Sequence, residues 1–296
     1  MKIAAYTYQS QNLVGLVSLD GTSVEAYAFS PEQAERGLLA VIDYQQAGKP
    51  LPARATAVPM SSVKLKAPVP HPRRNIFCVG KNYFEHAMEF GTSGFDSSTG
   101  KAGDEIPKDP IIFTKVPESV IATGEAIQIP YGVSEAIDYE AELTVIIGKG
   151  GKGISEADAM LHVWGYTIVN DVTARDWQQR HKQWHLGKSF DTFCPMGPIA
   201  VSGGVGADEC NGEDTQMKLW VNGELRQNVG TKSLIFNIPK LISVISQGIT
   251  LHPGDLIATG TPVGVGLGFK PPKYLKAGDV VRIEIDGIGM LENTLI

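Results

Sequence analysis

The chain has 296 residues, 43% of them hydrophobic, and a formal net charge of -6 with a pI near 5.6. This length and composition are enough to bury the core of one large domain, alone or with a small attachment. The acidic balance gives no support to a nucleic acid or an anionic membrane as the partner.

The cysteines and the N-terminus indicate the compartment. Cys78, Cys194 and Cys210 are an odd set without a CxxC pair, which argues against a disulfide framework or a zinc ribbon and favours buried thiols in a reducing compartment. The first residues lack a basic region followed by an apolar run, and no segment reaches the ~20 apolar residues of a membrane helix. We therefore expect a cytoplasmic protein.

The N-terminal part predicts a small sheet followed by a helix. Residues 2–28 contain three strand-like segments, KIAAYTY, NLVGLVS and SVEAYAF. Asp20 and Gly21 predict a hairpin turn between the last two. The segment SPEQAERGLLAVIDYQQAGKP predicts one helix, with Ser30 as the N-cap and Gln33 completing a capping box.

A segment rich in Pro, Ala and Ser follows this helix and predicts a domain boundary near residue 68. We expect a small N-terminal α+β domain over residues 1–68 and a larger catalytic domain over residues 69–296. In the larger domain most strand-like segments are joined by turns, including Asn222-Gly223 and Asp286-Gly287. This arrangement predicts a β-rich α+β fold, antiparallel or mixed, with peripheral helices.

The larger domain also contains helical patterns and one long loop. The predicted helices are NYFEHAMEFG, SEADAMLHVWG with Ser155 as its cap, TARDWQQRHKQ and FNIPKLISVISQG. Residues 91–110 have no core pattern and are long for a connection within a compact domain. We expect the part from Thr92 to Lys108 to act as a lid.

The segment DYEAELTVII raises the question of a metal site. In a strand, Asp138, Glu140 and Glu142 would share one face, while the apolar side chains between them could enter a core. Together with Asp171, at the end of the strand-like GYTIVND, the glutamates would form an all-oxygen set suited to Mg²⁺ or Mn²⁺. The alternative is a solvated acidic face with a turn aspartate.

A histidine and a glutamate offer acid-base chemistry. His86 and Glu89 are three residues apart, so they share one face of a helix, where the carboxylate can orient the imidazole as a general base. The alternative is a capping or surface pair.

Other polar residues could bind an anion. Arg175 and Gln178 share a helical face, and Lys188 follows in the same region, although a polar surface helix is the simpler reading. The glycine-rich TGTPVGVGLG lacks the GK[ST] of a phosphate loop. It can still bring backbone close to a ligand, with Thr261 supplying a hydroxyl.

Six motifs in one order, from about Asn75 to the C-terminus, resemble the fumarylacetoacetate hydrolase family. They are FCVGKNYFEHAMEFG, DYEAELTVIIGKG, GYTIVNDVTARDWQ, KSFDTFCPMGP, VNGELRQ and IATGTPVGVG. The resemblance implies a mixed β-roll that usually pairs as a homodimer. It also implies Mg²⁺ or Mn²⁺ bound by the carboxylates of Glu140, Glu142 and Asp171, and a pair, His86 and Glu89, that activates water. Lys188 would contact the substrate, and further substrate contacts would come from Arg175, Gln178 and Thr261.

The resemblance implies several reactions on a small 2-oxo acid. Our first hypothesis is metal-dependent hydrolysis of a carbon-carbon bond in a 2,4-dioxo acid, giving pyruvate and a carboxylate. The alternatives are decarboxylation of an oxaloacetate-type acid, isomerisation or hydration in aromatic or sugar-acid catabolism, and a metal-binding homologue without turnover. Family membership indicates the site better than the substrate.

Overall fold

The structure is a computed structural model that describes residues 1–91, 106–203 and 210–296. The strands in these ranges are β1 Lys2–Tyr8, β2 Gln11–Val17, β3 Ser23–Ala26, β4 Val58–Pro59, β5 Lys64–Leu65, β6 Ile76–Gly80, β7 Ile111–Lys115, β8 Val120–Ile121, β9 Ile137–Asp138, β10 Ala141–Ile147, β11 Val163–Asn170, β12 Thr173–Ala174, β13 Cys194–Ser202, β14 Gln216–Val221, β15 Glu224–Gly230, β16 Leu256–Ala258, β17 Val280–Ile285 and β18 Gly289–Thr294. The helices are α1 Pro31–Glu35, α2 Leu38–Gln46, α3 Phe84–Gly91, α4 Arg175–His181, α5 His185–Lys188 and α6 Ile238–Gly248.

Most of these strands join one large mixed sheet. Its order is β4-β3-β2-β1-β13-β11-β10-β16-β6-β7, with β5 on β1 and β8 on β13. Two of its pairings, β13 with β8 and β16 with β6, are parallel, and the others are antiparallel. Strands β15-β14-β17-β18 form a second sheet, and β12 pairs with β9. The predicted β-rich α+β class with peripheral helices is confirmed.

The core lies on both faces of the large sheet. On one face, residues such as Leu143 and Val145 belong to a cluster that includes Leu219 and Ile283 of the second sheet. On the other face, residues such as Ile146 pack in a cluster with helix α2. Strand β10 is therefore buried along its whole length. This explains why its sequence combines an apolar face with a second face that is equally shielded from water.

The N-terminal strands form as predicted, but the following helix differs. Ser30 and Gln33 form the expected capping box, whereas the single predicted helix is broken into α1 and α2. Gly37 lies between them with a φ of +58° and a ψ of −135°, a backbone conformation that glycine adopts readily and that interrupts the helix. The main sheet continues across the predicted boundary near residue 68, because β1 pairs with β13. The domain division itself stays a prediction.

Two other expectations concern the segment after Ser155 and the predicted lid. The helix predicted from Ser155 was wrong, since the segment forms only a 3₁₀ turn, Ala159–His162, before β11 begins. The Ser155 Oγ accepts from the Asp158 N–H at 3.2 Å, but too few residues remain to propagate a helix. Of the predicted lid, Thr92 to Lys108, residues 92–105 lie outside the described residues.

The turn and cysteine predictions hold. Asn222 and Gly223 both have positive φ, as a tight hairpin turn requires. The three cysteines are free and buried, and burial raises the pKa of the Cys194 thiol to about 12. Across the described ranges, no helix combines the length and the apolar content that a membrane crossing demands.

The break between α1 and α2 gives a stability prediction. A Cβ at Gly37 would lie 2.4 Å from the Pro68 carbonyl oxygen, whereas Gly48, with a similar φ of +63°, has nothing within 4 Å. Gly48→Ala should lower the free energy of unfolding by about 1 kcal/mol, the cost of a left-handed alanine. Gly37→Ala should lower it by about 3 kcal/mol, because overpacking adds to that cost. Equal losses in urea unfolding would contradict the steric argument.

Candidate active site

The acidic residues converge because strand β10 begins beside the point where its antiparallel neighbour β11 ends. Glu142 lies in β10, and Glu140 immediately precedes this strand. The antiparallel register pairs Ala141 with Asn170, so Asp171, which follows β11, lies beside Glu140 and donates its N–H to the Glu140 carbonyl at 2.9 Å. One carboxylate oxygen from each of the three acids lies within 4.8 Å of the others.

These three carboxylates are buried. Glu140 is 4% exposed, Glu142 1% and Asp171 0%, which excludes the solvated acidic face considered above. Three carboxylates on neighbouring rigid strands form an all-oxygen donor set, and such a set fits a hard divalent cation of the Mg²⁺ or Mn²⁺ type. The triad Glu140, Glu142 and Asp171 could therefore hold a divalent metal.

Two buried lysines contact the triad. Lys188 Nζ donates to Glu140 Oε2 at 2.7 Å and to Asp171 Oδ2 at 2.8 Å. Lys115 Nζ donates to Asp171 Oδ1 at 2.7 Å, to the Val172 carbonyl at 3.1 Å and to the Lys188 carbonyl. Lys115 thus fixes both a triad carboxylate and the backbone from which Lys188 extends.

Arg175 is held rigidly by neighbouring acids. Its Nε donates to Asp138 Oδ2 at 2.8 Å, and its Nη1 is 2.7 Å from Glu140 Oε1 and 3.1 Å from Gln178 Oε1. The third nitrogen, Nη2, is buried and has no hydrogen-bond partner in the described part of the chain. A buried guanidinium nitrogen of this kind is a ready donor for a ligand carboxylate.

The predicted histidine pair forms. His86 Nδ1 lies 3.2 Å from Glu89 Oε2 on helix α3, and His86 is only 5% exposed, so the surface-pair alternative is excluded. The Glu89 carboxylate also accepts the Gly264 N–H at 3.3 and 3.4 Å. A carboxylate fixed from two sides sets the tautomer of its imidazole, leaving Nε2 for proton exchange.

The glycine-rich segment binds the carboxylates of the site through its backbone. Gly260 N–H donates to Glu142 Oε2 at 2.8 Å, and Gly266 N–H donates to Asp138 Oδ1 at 2.7 Å. A Cβ at Gly268 would lie 1.9 Å from a Glu89 oxygen. The sequence predicted close approach of this backbone to a ligand, whereas the structure shows its close approach to the acidic side chains.

The predicted side chains share one cavity. Six of the nine line it directly, and they are His86, Glu140, Arg175, Gln178, Lys188 and Thr261. The other three do not line the cavity but lie next to residues that do: Glu89 beside His86, and Glu142 and Asp171 beside Glu140. The cavity measures about 10 Å³, so a ligand larger than a water molecule needs its side-chain walls to move. Thr261 Oγ1 accepts from the buried Gln227 amide at 2.9 Å.

The glutamates of the triad have opposite pKa shifts. Burial, together with the charges of Asp171 and Glu140, raises the pKa of Glu142 well above its usual value. Burial also acts on Glu140, but Lys188 and Arg175 outweigh it and lower the pKa of that carboxyl. For Lys188, burial is outweighed by Asp171 and Glu140, which raise the pKa of the ammonium. Lys188 therefore supplies a positive charge at neutral pH.

The sequence did not reveal several residues of the site. Lys115, Lys81 and Trp184 all border it. Trp184 packs on Phe90 with ring centroids 5.7 Å apart and on Phe113 at 5.3 Å. None of these residues belongs to a pair with diagnostic spacing. The one available signal was Lys115 at the end of the mostly apolar strand IIFTK, where a buried lysine needs an acidic partner.

The fold and the site define a sheet-rich α+β protein with a buried acidic centre, which could hold a divalent metal, beside a histidine-glutamate pair. The family model described as fumarylacetoacetate (FAA) hydrolase C-terminal matches residues 75–296. The chain belongs to the fumarylacetoacetate hydrolase family, as the six motifs predicted.

Relatives with assigned names include tautomerases, isomerases and hydrolases. Oxaloacetate tautomerase YisK of Bacillus subtilis (strain 168) is 49% identical over 236 residues, which cover 80% of this chain and 74% of that protein. The human mitochondrial oxaloacetate tautomerase FAHD2A is 42% identical over 252 residues, covering 84% and 75%. The solved structure of fumarylacetoacetate hydrolase (EaFAH) from Exiguobacterium antarcticum has a TM-score of 0.81 and 37% identity, covering 100% of this chain and 99% of that chain. These family members are enzymes.

The raised pKa of Glu142 gives a prediction for pH and metal. Glu142 must lose its proton to bind a cation, so the increase in melting temperature caused by Mn²⁺ should grow from pH 5 to pH 8. Glu142→Gln should remove most of this increase, whereas Glu284→Gln, an exposed glutamate of β17, should keep it. An undiminished Mn²⁺ effect in Glu142→Gln would exclude Glu142 as a ligand.

The same pKa predicts the pH dependence of stability when metal is chelated. The folded protein retains the Glu142 proton above the usual value of 4.5, whereas the unfolded chain releases it. The contribution of this group to the free energy of unfolding should therefore fall as pH rises above 4.5. Urea unfolding at several pH values in EDTA should show this fall in the native chain and its loss in Glu142→Gln.

Lys115 gives a prediction about structural support. Lys115→Met leaves Asp171 without one of its two ammonium partners in a buried site, so it should lower the free energy of unfolding by about 3 kcal/mol or more. Lys273 also pairs with a carboxylate, that of Glu224, but its side chain is 46% exposed, so Lys273→Met should cost less than about 1 kcal/mol. Similar losses in the two variants would show that Lys115 does not stabilise the triad.

Proposed function

We propose that this protein interconverts the enol and keto forms of a small 2-oxo dicarboxylic acid of the oxaloacetate class. The observation that carries the proposal is that one cavity is lined both by His86, the partner of Glu89, and by Glu140 of the carboxylate triad. Tautomerisation removes a proton from the enol oxygen and adds one to carbon 3, with no bond to water and no carbon-carbon cleavage. One proton-transferring side chain and a positively charged environment for the enolate oxygen are sufficient for this chemistry.

The relatives support this choice of substrate class. Proteins named oxaloacetate tautomerase from a bacterium, rat and human are 49%, 40% and 42% identical to this chain. The rat protein is matched over 96% of this chain and 87% of its own length. These names favour tautomerisation over the carbon-carbon hydrolysis that the motifs suggested first.

Each side chain of the cavity has a distinct part in the proposed reaction. Glu140, Glu142 and Asp171 would hold Mg²⁺ or Mn²⁺, which when bound supplies a Lewis acid for the 2-oxo group. Arg175 would bind a substrate carboxylate through Nη2, because its other nitrogens are already engaged. The Lys188 ammonium would stabilise negative charge developing on the enolate oxygen.

His86 would carry the proton. Glu89 accepts from Nδ1–H, which selects the tautomer of the imidazole with its lone pair on Nε2. In the enol-to-keto direction, this nitrogen would take the proton from the enol oxygen and deliver it to carbon 3, and in the reverse direction it would move a proton from carbon 3 to the oxygen. Phe90, Phe113 and Trp184 surround the cavity with aromatic rings, which limits the access of water to the enolate.

A second candidate function is hydrolysis of a 2,4-dioxo acid, and the His86–Glu89 pair supports it as well. The same pair could remove a proton from water that attacks the 4-carbonyl group, after which the enolate of pyruvate would leave. Decarboxylation of an oxaloacetate-type acid would use the same charges without the attacking water.

We also propose that the protein forms a homodimer, as the resemblance implied.

The acid-base role predicts the effect of a single substitution. Glu89→Gln should lower the rate of enol-to-keto conversion of oxaloacetate, followed by ultraviolet absorbance with Mg²⁺ present, by roughly 10²-fold. Glu85→Gln changes an exposed glutamate of the same helix and should leave the rate unchanged.

The same preparations should be tested for hydrolysis of acetylpyruvate and, separately, for decarboxylation of oxaloacetate. A native protein that hydrolyses acetylpyruvate faster than it converts enol-oxaloacetate would favour the second candidate. A Glu89→Gln variant with full tautomerase activity and normal Mn²⁺ binding would exclude the proton-transfer role of the pair.

A further inference from the structure

A buried lysine outside the predicted set borders the cavity. Lys81 lies between β6 and α3, is 3% exposed and lines the same cavity as Arg175 and His86. Its φ is +53°, a conformation uncommon for a residue other than glycine. Strained backbone of this kind is concentrated at ligand sites, and here it places a long cationic side chain at the cavity wall.

Lys81 and Arg175 contact the same aromatic ring. Lys81 Nζ lies 5.7 Å from the centroid of Phe90, and Arg175 Cζ lies 5.9 Å from it. The two positive groups are therefore separated by no more than the sum of these distances, 11.6 Å. The Phe90 ring therefore contacts both the Lys81 ammonium and the Arg175 guanidinium beside the cavity.

Arg175 and Lys81 offer nitrogen donors at two points of the same cavity wall. An ionised carboxylate is the acceptor with which guanidinium and ammonium groups form their strongest hydrogen bonds, so a ligand with a carboxylate at each end matches both. Arg175 Nη2 is directed to no acceptor within the described ranges. A four-carbon dicarboxylate that accepts a hydrogen bond of about 2.9 Å at each end has a length compatible with contacts to both side chains.

We propose that Lys81 determines substrate specificity by binding the distal carboxylate of a 2-oxo dicarboxylic acid. Arg175 and the triad would bind the end that carries the 2-oxo group, an orientation that rests on the proposed function. The lysine stem is flexible, so its ammonium can move outwards as the small cavity admits a ligand. Acids with a neutral distal group would lack this contact.

The test compares two stable ligands that differ only at the distal end. Malate has a carboxylate where 2-hydroxybutanoate has a methyl group, and neither requires turnover. Their binding to the Mg²⁺-loaded protein should be measured by calorimetry for the native chain, Lys81→Met, Lys81→Arg and Lys152→Met. Methionine keeps the length and apolar stem of the lysine, and Lys152 is an exposed lysine in the loop after β10.

Native protein should bind malate about tenfold more tightly than 2-hydroxybutanoate, the scale of one charge-assisted hydrogen bond. Lys81→Met should lose about tenfold in malate affinity and less than twofold in 2-hydroxybutanoate affinity. Lys81→Arg should largely keep the preference, and Lys152→Met should match the native protein. In kinetics, Lys81→Met should raise the KM for the dicarboxylate more than it lowers kcat.

Three results would overturn the role of Lys81. They are equal affinity of native protein for the two ligands, unchanged malate affinity in Lys81→Met, and equal losses for both ligands in that variant. Failure of the proposed function would be a separate observation, namely a native protein without tautomerase activity. The binding comparison remains interpretable in that case, because it measures recognition of the distal group and not the reaction.

Discussion

The pairing of buried carboxylates with buried cations is the constraint on which this structure depends. Removing an unpaired carboxylate from water costs several kcal/mol even after relaxation. The acidic residues involved are Asp138, Glu140 and Asp171, and the cations are Lys115, Arg175 and Lys188. The cations come from β7, α4 and α5, so helices and strands far apart in sequence must meet for the charges to be compensated.

Backbone N–H groups also donate hydrogen bonds to the carboxylates of the site. The segment 260–268 donates N–H groups to carboxylates on β9, β10 and α3. Several positions in this segment have no space for a side chain: an added Cβ would lie 2.8 Å from Asn82 at Gly260, 2.5 Å from the Lys273 carbonyl oxygen at Gly266 and 1.9 Å from a Glu89 oxygen at Gly268. This crowding accounts for glycine at these positions. Glu142 receives fewer donors than the other acids and keeps a raised pKa, a property suited to a group that exchanges a proton for a metal ion.

The same arrangement explains how one family can contain tautomerases, isomerases and hydrolases. Each of these reactions on a 2-oxo acid passes through an enol or enolate, whose charge a metal ion and a fixed ammonium can stabilise. The rigid part of the site, built on strands, therefore supports the shared chemistry. The proposed role of Lys81 concerns the other part of the site, which faces the rest of the substrate and can differ between proteins that share this chemistry.

The sequence by itself determined the elements with strong local signals. Alternation identified β10 and its apolar face, paired turn residues identified the hairpins, and the His86–Glu89 spacing identified a pair that forms on α3. The ordered motifs identified the family, and through it the residues that meet at the cavity. Local signals failed where a single residue overrides a helical pattern, as Gly37 does between α1 and α2.

Only the tertiary structure decided whether the acidic face meets water or charge. Strand periodicity separates two faces but carries no information on what covers each of them. The burial of Glu142 and the contacts of Lys115 and Lys81 depend on strands paired across more than fifty residues of sequence. Their positions follow from long-range packing, because the cost of burying charge is met by partners that no local pattern specifies.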